Sequence, residues 1–200
     1  MNFITFIIPT IGRETLIRTI DSLLKQTVDD WEAIVIFDGI EPNFVFDDDR
    51  IIIKKINKLG KISRHVKYGN VSSAGFVRNE GFKFVSSKWI GFVDDDDVLI
   101  SNYVEKLKEE ECNENFDLIL FRMNANKIIP AIELNEIKFG EVGISFAIST
   151  EKLKKFNLKF LNSSSEYYEF FSNAISKGLK YKISKHIVYE VCRDHPEKYQ

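Results

Sequence analysis

Four consecutive aspartates, Asp94 to Asp97, follow directly on the apolar run Trp89 to Val93. Like charges at the mouth of a buried strand repel one another, so the arrangement is costly unless a cation or a ring of donors compensates it. Alternate carboxylates at an extended chain end can face one hard divalent ion, which takes oxygen ligands. The plainer alternative is a solvated turn in which Asp97 caps a helix. A second acidic run, Asp47-Asp48-Asp49-Arg50, reads as a turn only. Shortly before the acidic strand stands Ser73-Ala74-Gly75-Phe76-Val77-Arg78-Asn79-Glu80-Gly81. Arg78 there could pair with a phosphate through its planar fork, or be an ordinary exposed helix arginine. Gly81 would let its helix pack closely on a sheet. Asp38 ends another apolar run, where its carboxylate can accept an N–H from a base such as uracil, or simply form an Asp-Gly turn with Gly39.

These groups need a scaffold, and the pattern supplies one. Phe3 to Ile8, Trp31 to Phe37, Ile51 to Ile53 and Trp89 to Val93 read as short strands. Leu16, Ile17, Ile20, Leu23 and Leu24 fall on one stripe at helical spacing. A helix is predicted over Ser72 to Ser86. Asn102 with Glu105 looks like a capping box opening a helix to about Glu111. Phe116 to Phe121 and Gly143 to Ser149 are further strand candidates, followed by a helix from Ser165 to Lys177 and a strand from Ile183 to Val191. Strands separated by helices imply an α/β fold with a mostly parallel sheet, in which ligands bind outside the carboxyl ends of the strands. That rule singles out Pro9 to Arg13, Asp38-Gly39 and Asp94 to Asp97.

Composition narrows the classes. The chain has 200 residues, 44% hydrophobic, with 28 basic against 30 acidic side chains. This describes one globular domain and gives no electrostatic case for nucleic acid. No apolar run reaches the roughly 20 residues of a membrane helix. Met1 to Ile11 reads as a strand and not a signal peptide. Cys112 and Cys192 match no metal-ligand spacing and read as reduced thiols. The expected location is cytoplasmic, with peripheral membrane attachment as the other reading. Most of the 17 Phe residues fall at core-like positions, whereas Tyr167 and Tyr168 are candidates for stacking on a sugar ring or for helix packing.

Taken in order, these pieces resemble the GT-A fold nucleotide-sugar glycosyltransferases, most closely glycosyltransferase family 2. The resemblance runs from Phe6-Ile7-Ile8-Pro9-Thr10 through Ser22 to Thr27, Trp31 to Gly39 and the signature Ala74 to Asp97. It continues through Gly143 to Ile148, Glu166-Tyr167-Tyr168-Glu169-Phe170 and Arg193-Asp194-His195. It implies a single Rossmann-like domain whose residues 1–100 bind the nucleotide-sugar donor and whose residues 101–200 face a glycan or other hydroxyl acceptor. Pro9, Thr10 and Arg13 should line the nucleotide pocket, and Asp38 should read the base, favouring UDP- or dTDP-sugars. Phe37 stands where the family often has a second acid. Arg78 and Asn79 should lie near nucleotide and sugar, with Asp94 and Asp95 on the donor. Asp94, Asp96 and His195 should hold Mn²⁺ or Mg²⁺. The family inverts by single displacement, with the Asp of a Glu-Asp pair as base. Here Tyr167 occupies that position, and a neutral phenol is a poor base near pH 7. Glu166 is the first replacement to consider and Glu169 the second. The other readings are a protein that binds donor without transferring it, acting as a recognition module, and a nucleotidyltransferase. The last would want a Gly-rich basic loop after the first strand, where only Gly12 and Arg13 stand.

Overall fold

The computed structural model describes residues 2–59, 61–65, 69–113, 115–161 and 163–192, with backbone alone over 61–65, 69–73 and at 113. Arg193, Asp194 and His195 therefore lie outside the described residues.

The chain forms β1 (Ile4–Thr10), α1 (Thr15–Leu24), β2 (Trp31–Asp38), β3 (Ile51–Ile56), β4 (Lys61–His65) and β5 (Gly69–Ser73). Next come α2 (Gly75–Gly81), a 3-10 turn (Phe82–Phe84), β6 (Trp89–Phe92), β7 (Val98–Leu99), α3 (Tyr103–Asn113), β8 (Leu118–Asn124) and β9 (Ile128–Ile129). The last elements are β10 (Phe146–Ser149), α4 (Thr150–Lys155), α5 (Glu166–Ser176) and β11 (Tyr181–Glu190). The main sheet has the order β3-β2-β1-β6-β10-β8-β11-β7, with β9 paired to β8, while β4 and β5 form a separate antiparallel ribbon. β3, β2, β1 and β6 are parallel throughout. β10 runs against both its neighbours, so β8 and β11 return to the direction of β6, and β7 closes the far edge antiparallel to β11. The outcome is the expected α/β architecture, with a curled sheet that is mixed in its second half.

The core explains the strands. Every residue of β1 and β6 is buried, as a parallel strand covered on both faces requires. Phe92, Phe146, Phe160 and Phe170 join through ring contacts of 4.4–5.5 Å and bind the sheet to α5. Offset and edge-to-face pairs of this kind add about 0.5–1.5 kcal/mol each beyond their burial. On α1, Leu16, Ile20 and Leu23 carry the packing, whereas Ile17 and Leu24 at the stripe's margins are 48% and 41% exposed.

Two local expectations change. The helix predicted over Ser72 to Ser86 begins only at Gly75, because Ser72 and Ser73 belong to β5, and it tightens into the 3-10 turn after Gly81. Gly81 does sit tight on the sheet: a Cβ there would stand 2.7 Å from Ile7 and 2.8 Å from Ile36. The capping box at Asn102 is not formed. Asn102 Oδ1 is buried without a partner, and the Glu105 carboxylate instead accepts from Thr27 and Lys106. Asp47 to Arg50 is indeed a turn, clasped by Arg50 on Asp48 and Asp29. No helix among the described residues is long and apolar enough to cross a membrane.

Candidate active site

Parallel pairing brings the ends of β1, β2 and β6 to one edge of the sheet, so Thr10, Asp38 and Asp94 emerge side by side. The chain crosses from β6 to β7 through the acidic run. α1 holds this crossing from below: Arg18 donates to the Asp96 carbonyl at 2.8 Å and Thr19 to the Asp97 carbonyl at 2.7 Å. β11 holds it from the other side. Tyr189, fully buried, accepts the Asp94 N–H at 3.2 Å and donates to Asp97 Oδ2 at 2.9 Å, while the Cys192 N–H reaches Asp97 Oδ1 at 2.9 Å.

The four aspartates thus have different surroundings. Asp95 is 5% exposed and turned inward, accepting Thr10 Oγ1 at 2.7 Å and Arg13 Nη1 at 3.2 Å. Burial raises its pKa, against the help of Thr10 and Arg13. Its carboxylate, expected on the donor, accepts from Thr10 and Arg13. Asp96 meets the same Arg13 Nη1 at 3.3 Å. Asp97 is pushed up to about 7 by burial and by the charges of Asp94 and Asp96. Carboxylate oxygens of Asp94, Asp96 and Asp97 all lie within 4.8 Å of one another. This all-oxygen donor set fits a hard divalent cation, whose charge would relieve the repulsion that raises Asp97. Both oxygens of Asp97 also accept hydrogen bonds, from Tyr189 and from the Cys192 N–H.

Arg78 is a buried guanidinium. It is 1% exposed, and its fork closes on carboxylates within the protein, not on an exposed phosphate. Nη1 donates to Glu166 Oε1 at 2.8 Å, and Nη2 donates to Asp94 Oδ1 and to the Tyr167 hydroxyl, the latter at 3.3 Å. Burial works against its charge, but Tyr167, Asp94 and Glu166 outweigh it and hold the guanidinium firmly protonated. Burial also lifts the Tyr167 phenol above its ordinary range. Gly75 makes room for this arrangement, since a Cβ there would stand 2.6 Å from Glu166 Oε2. Asn79 pins the segment before α5 by a reciprocal pair of 2.9 Å bonds to the Phe160 backbone. Glu169, the alternative base, is engaged by Ser163 at 2.6 Å.

At the end of β2, Asp38 is 5% exposed and accepts the Leu59 N–H at 2.6 Å. Gly39 takes φ 77°, the turn conformation its Asp-Gly pair suggested. Pro9 is buried in β1 beside Ile36. The structure thus gathers Thr10, Arg13, Asp95 and Asp96 into one bonded group and Arg78, Asp94 and Glu166 into a second, brought together where the Asp94 and Asp96 carboxylates lie within 4.8 Å, and sets Asp38 at the same sheet edge. Three further residues at the site, Arg18, Thr19 and Tyr189, are not singled out by the sequence reading. Thr19 and Arg18 had a faint signal, as polar residues beside the apolar stripe of α1. Tyr189 had none, because the β7–β11 pairing that delivers it is long-range.

The model of Glycosyl transferase family 2 matches residues 5–174. An uncharacterized glycosyltransferase, EpsJ of Bacillus subtilis (strain 168), is 30% identical over 67% of this chain and 39% of its own. The poly(ribitol-phosphate) beta-N-acetylglucosaminyltransferase TarP of Staphylococcus aureus (strain N315) is 33% identical over 60% of this chain and 36% of its own. The chain therefore spans less than half the length of these curated relatives. Among solved structures, S. aureus TarS 1-349 in complex with UDP-GlcNAc superimposes with a TM-score of 0.74 at 16% identity, covering 100% of this chain and 60% of that one.

Proposed function

Because the chain belongs to glycosyl transferase family 2, we propose that it moves a sugar from a nucleotide-sugar donor to an acceptor hydroxyl, with inversion at the anomeric carbon. The observation that carries this reading is the cluster of Asp94, Asp96 and Asp97 at the carboxyl edge of the sheet. A UDP- or dTDP-sugar is the proposed donor class, since the carboxylate of Asp38 suits an imide N–H. The relative solved with UDP-GlcNAc makes that donor the first to test.

Asp94 and Asp96 would hold Mn²⁺ or Mg²⁺, which when bound supplies positive charge opposite the departing diphosphate. His195 is proposed to join them from the C-terminal segment. Arg13, its side chain 39% exposed beside Asp95 and Asp96, adds fixed positive charge at the same mouth. Thr10 and Asp95 fix Arg13 in that place. Glu166 takes the proton of the acceptor hydroxyl. The acceptor oxygen bonds to the anomeric carbon as the bond to the diphosphate oxygen breaks, and that electron pair leaves with the nucleotide. Arg78 orients the Glu166 carboxylate and ties it to Asp94, so the base and the metal side share one rigid cation.

General-base help is typically worth about 10²–10⁴-fold. Glu166→Gln is expected to lower transfer by about that factor while UDP affinity stays within about twofold of wild type. Unchanged turnover would remove Glu166 from this role. One observation favours a second reading, donor binding without transfer: a buried phenol, Tyr167, stands in the family's usual base position. Wild-type protein that binds UDP-GlcNAc but releases no UDP with any acceptor would select it.

A further inference from the structure

Two buried hydroxyls close on the same two residues of the acidic crossing, one from α1 and one from β11. The crossing is itself a turn, in which the Asp97 N–H donates to the Asp94 carbonyl at 3.2 Å. On the α1 side, Thr19 Oγ1 donates to the Asp97 carbonyl at 2.7 Å and lies 3.3 Å from that of Asp94. On the β11 side, the Tyr189 hydroxyl accepts the Asp94 N–H at 3.2 Å and donates to Asp97 Oδ2 at 2.9 Å. Both of these bonds of Tyr189 go to the acidic run, one to its first residue and one to its last.

The elements that carry these hydroxyls are fixed without the turn's help. Tyr189 stands in register with Leu99 of β7 and Met123 of β8, so its backbone is paired on both sides. Thr19 adjoins Ile20 on α1 and follows Leu16 by three residues, and all three are buried. What the hydroxyls hold is a crowd of like charges, the Asp94, Asp96 and Asp97 carboxylates within 4.8 Å of one another. Repulsion at that range pushes the turn apart, and ligands that splay before an ion arrives must be reordered at a cost to affinity. A phenylalanine would fill the same space at position 189, so core packing leaves the hydroxyl unexplained.

We propose that Tyr189 and Thr19 are positioning residues, a two-hydroxyl clasp that keeps the Asp94–Asp97 turn closed so that its carboxylates already converge when a divalent cation arrives. Both hydroxyls are taken up by the turn, so they act on the ion through Asp94 and Asp97. Groups that hold a metal's ligands in place typically matter about 10–100-fold in its affinity. This inference rests on the reading of the aspartates as the metal site of a nucleotide-sugar transferase.

The test is isothermal titration of Mn²⁺ into the full chain, with and without UDP, for wild type, Tyr189→Phe and Thr19→Val. Tyr189→Phe removes the hydroxyl and keeps the ring, and Thr19→Val replaces the hydroxyl by a methyl group of similar size. Each variant, folded by circular dichroism at the titration temperature, should bind Mn²⁺ at least about tenfold more weakly than wild type. A role in packing alone would lower the urea midpoint and leave the Mn²⁺ affinity of the folded protein as it was. Unchanged affinity in either folded variant would overturn the clasp, and either variant decides the matter if the other does not fold. UDP titration of the same samples separates the two levels. Mn²⁺-dependent UDP binding in wild type with unchanged variants would sink the clasp alone, and a wild type that binds no Mn²⁺ even with UDP present would sink the metal site beneath it as well.

Discussion

Arg78 is the residue on which two sides of the site meet. Its guanidinium is buried between Asp94 and Glu166, with the rings of Phe160 and Tyr167 at 5.5 and 5.4 Å. Removing one partner of such a group leaves uncompensated buried charge and typically costs about 3–5 kcal/mol. Arg78→Ala should therefore lower stability in urea unfolding by about that amount, and Arg78→Lys should rescue only part of it because an ammonium cannot span two carboxylates with a planar fork. A loss below about 0.5 kcal/mol, the usual range of surface substitutions, would contradict this role. From the sequence, Arg78 reads either as a phosphate-pairing arginine or as an ordinary exposed helix arginine. Its actual partners lie 16 and 88 residues away, and no local pattern reveals contacts at that separation. The same holds for Asp95 and Asp97. Four identical residues in a row look alike, and only the fold decides which are turned inward.

At the scale of elements, close approach sets two measurable outcomes. Gly81 lies on α2 where a methyl group would meet Ile7 and Ile36 below 3.0 Å. Alanine is the better helix former by about 1 kcal/mol, yet overpacking costs about 1–3 kcal/mol, so Gly81→Ala should be neutral to destabilising in denaturant titration. A clear gain in stability would mean that α2 is looser than described. The packing of α3 on β11 shows itself through pH. Glu110 on α3 is buried, which by itself would raise its pKa, but Lys182 and Ser184 outweigh burial and hold it below the usual range. A depressed folded pKa contributes stability that is present above about pH 5 and lost as the pH falls through the folded value. Glu110→Gln should flatten the fall of the urea midpoint between about pH 5 and pH 3, and an unchanged slope would remove Glu110 from that account. The long elements were legible because their apolar periodicity is strong. β7, β9 and α4 were not, since two-residue strands and a six-residue helix carry too few residues for a period to show. The Asn102 capping box failed because Thr27 and Lys106 compete for Glu105.

The whole molecule is a curled sheet whose far edge returns to its centre. β7 follows β6 by only the acidic run, yet pairs with β11, and this closure brings Tyr189 and Cys192 onto Asp97. The alternation of strands and helices made the α/β class and the shared carboxyl edge of the strands readable, because parallel strands must expose their carboxyl ends together. The return of β11 was not readable, because pairing order across a sheet is set by global packing. We propose that this closure builds a metal-dependent nucleotide site on Asp94 and Asp96. Isothermal titration of UDP into the protein tests it most directly, with Mn²⁺, with EDTA, and with an Asp96→Ala variant. Binding that requires Mn²⁺ and weakens at least about tenfold in Asp96→Ala, a loss of about 1.4 kcal/mol, is the predicted result. UDP binding of equal strength in EDTA and in the variant, or none under any condition, would contradict it.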